Sequence, residues 1–257
     1  MEPSGRLPSI NTIGAGAPFR WLGGAWRDLL KAPVPCLAYG LALAIFSSWL
    51  CYAVYVSNAA FWVLALTMGF VFVAPMLAMG LYEAGRLIEQ GQKPTLGGML
   101  FVRSAVRGDT AYLGLALLLI YFFWGRIAQI VYGLSTYRLY RTVEAFIGFA
   151  IGTPEGHNML IVGTIIGGAI ALFTYCLVVV SAPMLLDRRA DVFSATVTSF
   201  RAVTTNFGPM ILWAVLIVVL ILAAAATGFL GLIVIFPWLG LASWRAYRDL
   251  VSDGAAG

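Results

Sequence analysis

From Met159 to Leu186 the chain reads MLIVGTIIGGAIALFTYCLVVVSAPMLL, 28 residues without a charged side chain. A helix of that length covers about 42 Å at 1.5 Å per residue, more than the roughly 30 Å of hydrocarbon in a bilayer. Five more stretches share this character: Val34–Tyr55, Ala59–Tyr82, Ala111–Tyr132, Pro209–Ala226 and Phe229–Trp244. Together they read as six spans, at about 34–55, 59–82, 111–132, 159–186, 209–226 and 229–244. Inside hydrocarbon a segment must satisfy its own amides, which a helix does. The fold expected is all-α, a polytopic membrane helix bundle with six transmembrane helices.

Composition agrees. Of 257 residues, 61% are hydrophobic and only 11% charged, against about 25% charged in soluble domains. A soluble globule could not hide so much apolar surface, so the soluble, disordered and nucleic-acid-binding classes fall away. The net charge of +5 reads instead as cytoplasmic loops facing anionic lipid. Cys36, Cys51 and Cys176 stand singly in apolar segments and read as small hydrophobes.

Residues 1–18 hold Pro3, Pro8 and Pro18 but no apolar core, so they are expected to remain as an extended cytoplasmic arm. Residues 19–257 form the membrane domain. With six spans, both termini share a side with the second and fourth loops. Thirteen of the 16 basic residues fall there, among them Arg27, Arg86, Arg103, Arg107, Arg188 and Arg189. Only Arg126, Arg138 and Arg141 fall opposite. The excess places both termini in the cytoplasm.

The spans pair into three hairpins. Each begins with a basic amphipathic stretch, Phe19–Lys31, Gly97–Arg107 or Val192–Thr205, expected to lie at the membrane interface. Each return helix carries a proline, in Ala74-Pro75-Met76-Leu77, Ala182-Pro183-Met184-Leu185 and Phe236-Pro237-Trp238-Leu239. Eight residues on stand Glu83, Asp191 and Arg245. Proline removes a helical hydrogen bond and bends the span. Duplication of a structural hairpin accounts for this pattern; a cavity where bent helices meet is the functional alternative. Leu134–Ala150, with apolar residues at 3–4 spacing, reads as an outer interfacial helix ended by Thr153-Pro154-Glu155-Gly156.

Chemistry-bearing patterns are scarce. His157 is the only histidine and reads as a solvated loop residue. Catalytic, cofactor-binding and metal residues are all expected to be none. Gly163-x-x-x-Gly167 with Gly168 reads as close helix packing. Arg126, about 22 Å along the third span, reads as snorkelling to outer headgroups, with an ion or substrate contact as the alternative.

Several motifs taken together carry a resemblance. Ala17-Pro18-Phe19-Arg20-Trp21-Leu22, Gly24-Ala25-Trp26-Arg27-Asp28-Leu29 and Ala32-Pro33 open it. Ala74-Pro75, Gly80-Leu81-Tyr82-Glu83, Pro183-Met184-Leu185 and Asp187-Arg188 continue it. Asn206, Trp213, Pro237-Trp238-Leu239-Gly240, Trp244 and Tyr247-Arg248 complete it. The set resembles a proteobacterial family of predicted integral membrane proteins of unknown function, some members of which carry cytochrome c oxidase-related labels. Members often show histidines where this chain has Leu241 and Arg245, so a haem or metal role does not carry over. The resemblance implies a bacterial inner membrane and association with an energy-converting complex, respiratory or photosynthetic.

The reading is a non-catalytic accessory or scaffold subunit, with a small permease or lipid-handling protein as the alternative. Its partners are membrane lipids and other subunits of a membrane complex, with no nucleic acid. Trp21, Trp26, Arg27, Arg86, Arg103, Arg107, Arg126, Arg188 and Arg189 are the candidate lipid or partner contacts.

Overall fold

The computed structural model describes residues 7–56, 73–102, 108–140 and 142–252. Apart from a two-residue strand pair, the regular elements there are helices. In order they are β1 (Ser9–Ile10), α1 (Ala17–Lys31), α2 (Pro33–Val56), α3 (Met79–Glu89), α4 (Leu96–Leu100), α5 (Gly108–Ser135) and α6 (Val143–Gly152). They continue with α7 (Pro154–Val178), α8 (Ser181–Asp187), α9 (Val192–Thr205), α10 (Phe207–Ala226), α11 (Leu232–Leu250) and β2 (Val251–Ser252). Residues 73–77 are also helical.

Among the described residues four helical stretches are long and apolar enough to cross a membrane: Pro33–Ala53, Gly108–Ser135, Pro154–Asp187 and Phe207–Ala226. They coincide, to within five residues at either end, with the expected first, third, fourth and fifth spans. Residues 59–72 of the second span lie outside the described residues, as do Arg103, Arg107 and Arg141. The expected sixth span is part of α11, whose apolar half, Leu232–Trp244, passes directly into Arg245, Tyr247 and Arg248. Thirteen residues give only about 20 Å of apolar helix.

Two compact units make up the chain: Met1–Ala44, Pro75–Leu113 and Tyr175–Gly257 in the first, Ile45–Ala74 and Gly114–Thr174 in the second. The first has its core in Trp213, Tyr247, Leu81, Met99, Met184 and Leu241, all under 2% exposed.

The three proline sites fall in the first unit and differ in shape. Near Pro75 the helix breaks three residues later, at Ala78, and Leu81 N–H turns to the Ala78 carbonyl. The Leu77 carbonyl accepts instead from Tyr39 Oη of α2 at 2.7 Å. Near Pro183 the break comes earlier, at Val179–Val180, and Val180 N–H donates to Ser199 Oγ of α9 at 3.1 Å. At Pro237 the helix runs on unbroken. Its missing N–H would have met the Ile233 carbonyl, against which Gly40 of α2 packs so closely that a Cβ there would overlap the oxygen. A neighbouring helix thus attends each of these sites, as apolar surroundings require.

The second unit corrects the expected outer helix. Leu134–Ala150 is not one helix: α5 ends at Ser135 and α6 starts at Val143. Between them Tyr132 Oη donates to the Arg138 carbonyl and accepts from Tyr140 N–H, at 3.0 and 3.1 Å. Thr142 then caps α6 by accepting from Ala145 N–H, the β-branched hydroxyl winning over helical continuation. Tyr137, placed by periodicity on the apolar face, is 92% exposed. Phe146, Phe149 and Ala150 are buried with Val131 and Met159, and Tyr140 stacks on Phe149 at 4.7 Å. Of the glycine motif only Gly167 makes a close contact, against the Trp124 ring, while Gly163 and Gly168 face open space.

The close approach at Gly40 yields a contrast. Gly40→Ala is expected to lower stability by about 1–3 kcal/mol, because the obstructing atom is backbone and cannot swing away. Gly23→Ala, with nothing within 4 Å, is expected to be neutral or stabilising by up to about 1 kcal/mol. Thermal unfolding of both variants in one detergent checks the difference.

Candidate functional site

Helix α1 buries one face, Ala17, Trp21, Gly24, Ala25, Asp28 and Leu29, and packs most extensively on α11. An acid on an otherwise apolar face needs partners, and Asp28, with an 8% exposed side chain, has two. Arg245 Nε donates to its Oδ2 at 2.5 Å and Lys31 Nζ to its Oδ1 at 2.9 Å. The Arg245 guanidinium lies against Gly24, where a Cβ would stand 2.7 Å from Nη1.

Indole N–H groups fasten the same contact. Trp21 Nε1 donates to Asp249 Oδ2 at 2.8 Å, and Arg20 approaches that oxygen at 3.6 Å. Trp238 Nε1 donates to the Leu22 carbonyl at 2.8 Å, and its ring meets Trp26 edge-on at 5.5 Å. Helix α3 joins through Glu89, which accepts from Trp244 Nε1 at 3.0 Å and Arg248 Nε at 3.1 Å. The Trp244 ring sits over Gly85, 2.7 Å from where a Cβ would be.

Behind this layer Tyr247 Oη donates to Asp187 Oδ2 at 2.7 Å and accepts from Arg188 Nε at 2.8 Å. The amino-terminal segment closes the end. β1 and β2 pair antiparallel, Ser9 opposite Ser252, while Asn206 Oδ1 accepts from Ile13 N–H and its Nδ2 donates to the Asn11 carbonyl. The described part of the expected extended arm is therefore docked on its own unit.

Part of this network, from α1, α3 and α11, lines a cavity of about 490 Å³. Four cations line it (Arg20, Lys31, Arg245 and Arg248), with three carboxylates (Asp28, Glu89 and Asp249) and the indoles of Trp21 and Trp244. Burial alone would raise the Asp28 pKa, but the bonds and charges of Arg245 and Lys31 outweigh it and hold the carboxyl below its ordinary value. Burial, then the bond to Asp187, pushes the Tyr247 hydroxyl well above its ordinary value, so it keeps the proton it donates.

The expected contact residues are distributed differently. Trp21 is buried within the chain and Trp26 is 42% exposed. Arg86 is held by Glu83 at 2.6 Å and Arg188 by Tyr247, while Arg27 and Arg189 are exposed. Arg126, in the second unit, is exposed and donates to Gln129 at 3.0 Å. His157 bonds the Ile151 carbonyl at 2.9 Å. The cavity brings together residues the sequence reading did not single out, above all Asp28, Glu89 and Asp249. Asp28 had a signal: it shares a helical face with Trp21 and Ala25. No group of three His, Cys, Asp or Glu with metal-site spacing occurs among the described residues.

A family model described as "Predicted integral membrane protein (DUF2189)" matches residues 63–187. The chain is an integral membrane protein. The match spans Ala74-Pro75 and Pro183–Asp187 but stops short of the α1 and α11 motifs, so it is narrower than the resemblance first read from those motifs. No curated protein and no solved structure matches the chain.

Asp28→Asn is expected to lower stability by about 1.5–3 kcal/mol by weakening two charge-assisted bonds. Folding lowers the Asp28 pKa, so its contribution is complete above the unfolded value of about 3.9 and fades as pH falls through the lower folded value. Thermal midpoints of both proteins should therefore differ at neutral pH and converge in acid.

Proposed function

We propose that the protein is a non-catalytic accessory or scaffold subunit of a bacterial inner membrane, spanning it six times with both termini in the cytoplasm. The observation that carries this reading is how little of the spans the chain itself covers. Only 17% of the apolar window of α2, 11% of α5, 17% of α10 and 33% of Pro154–Asp187 is buried. Large aromatic side chains face outward, including Trp49 and Tyr52 of α2 and Phe122 and Phe123 of α5. Such faces suit lateral contact with lipid tails and with the helices of a larger assembly.

Pairing of β1 with β2 supports an even number of crossings, because Ser9 and Ser252 must then lie on one side. The distribution of arginine and lysine supports the cytoplasm as that side. The family resemblance points to an energy-converting complex as the assembly. The rival reading, a permease or lipid-handling protein with a cavity among proline-bent helices, finds less support: the cavity described above lies among α1, α3 and the charged half of α11.

Gentle extraction of the tagged full chain tests this. The expected result is co-purification with other membrane subunits in fixed ratio; a homo-oligomer alone, moving a solute across vesicles, would overturn it. For topology, the single variants Ser9→Cys and Ser252→Cys are each expected to resist an impermeant maleimide added from the periplasmic side and to react with it once the membrane is permeabilised. Labelling of either cysteine from that side counts against cytoplasmic termini.

A further inference from the structure

We propose that the cavity among α1, α3 and α11 binds the phosphate-bearing headgroup of an anionic phospholipid. Consider first which charges are already committed. Asp28 accepts from Arg245 and Lys31, Glu89 from Trp244 and Arg248, and Asp249 from Trp21. Every carboxylate at the cavity is thus occupied by a donor. The cations outnumber them by one, and a guanidinium carries five N–H donors. Arg245 uses Nε on Asp28, so its terminal amino groups can take a second acceptor. Arg20 comes no nearer than 3.6 Å to Asp249, too far for a good hydrogen bond, and its side chain is 63% exposed. Lys31 is 60% exposed. Three cations with spare donors around one space make a receptor for a phosphate diester.

The site is also shaped. Gly24 and Gly85 provide the two places where the Arg245 guanidinium and the Trp244 side chain pack directly against a helix, and a side chain at either position would displace them.

Its depth selects a lipid over a soluble phosphate. The helix that supplies Arg20, Asp28 and Lys31 to the cavity turns Phe19, Trp26 and Leu30 outward, 57, 42 and 62% exposed. These positions, 7 and 4 residues apart, form one stripe, and Val34, 77% exposed at the start of the first span, continues it. An apolar outer stripe leading into a membrane span lies at the acyl boundary, which sets the cavity at headgroup height. Indoles favour the same level.

The test uses the full chain in neutral detergent, with phosphatidylglycerol or phosphatidylcholine added and bound lipid counted by native mass spectrometry. Phosphatidylglycerol is expected to bind more tightly, and Arg20→Gln and Lys31→Gln each to weaken it about fivefold. Arg201→Gln, an exposed arginine of α9 outside the cavity, should leave binding unchanged. Gly24→Ala, which moves the Arg245 guanidinium without changing charge, should weaken binding as well. Equal binding of the two lipids, equal losses in Arg201→Gln and the cavity variants, or no loss in Gly24→Ala would overturn the site. Displacement of the lipid by inorganic phosphate at the same concentration would make it a soluble-phosphate site and overturn the lipid. Binding is read on the isolated chain, so this result stands apart from whether protein partners co-purify.

Discussion

Asp28, on the inner face of α1, accepts hydrogen bonds from a lysine three residues on and from an arginine 217 residues away. A carboxylate so shielded from water is tolerable only while both partners are present, since its charge has little solvent to fall back on. That requirement fixes the rotation of α1 about its own axis. Once Asp28 points at α11, Trp21 one side of it reaches Asp249, and Phe19, Trp26 and Leu30 must face away. The outward apolar stripe, the glycine under Arg245 and the seam between the two terminal segments all follow from where one carboxylate is aimed.

The three proline tetrads show how similar local sequence can be put to different uses. Proline subtracts a donor each time, but where the helix gives way depends on what stands beside it. A tyrosine hydroxyl serves the carbonyl left open after Pro75, a serine hydroxyl serves the amide left open before Pro183, and at Pro237 the absence of a side chain on Gly40 lets α2 press against the exposed oxygen. The charged residues eight positions on diverge likewise. Glu83 pairs locally with Arg86, Asp191 caps α9 through Ser194, and only Arg245 reaches across to another helix.

What could be read from the sequence was whatever depends on local composition. Runs of apolar residues located four spans closely, and Val192–Thr205 is a helix with the bounds its amphipathic pattern suggested. Periodicity misled at Leu134–Ala150, where a turn held by Tyr132 and a threonine cap interrupt a pattern that is otherwise helical. The cavity was the least legible feature. Its acids and bases come from three helices, and Asp28 beside Arg27 and Lys31 looks like an ordinary solvated charge until α11 is laid against it. Contacts between residues some two hundred positions apart leave no spacing to count.

Joining α1 to α11 also has a consequence for how the molecule is made. During synthesis α1 leaves the ribosome before α11, and the arginine that Asp28 needs follows 217 residues later. At about 5–20 residues per second that is a wait of about 10–40 s. Throughout it, the face carrying Trp21 and Asp28 has neither its indole acceptor nor its guanidinium, while the opposite stripe is already able to settle on the bilayer surface. Until α11 is made, the apolar stripe of α1 is the face with a partner at hand, and the burial of Asp28 has to wait for Arg245.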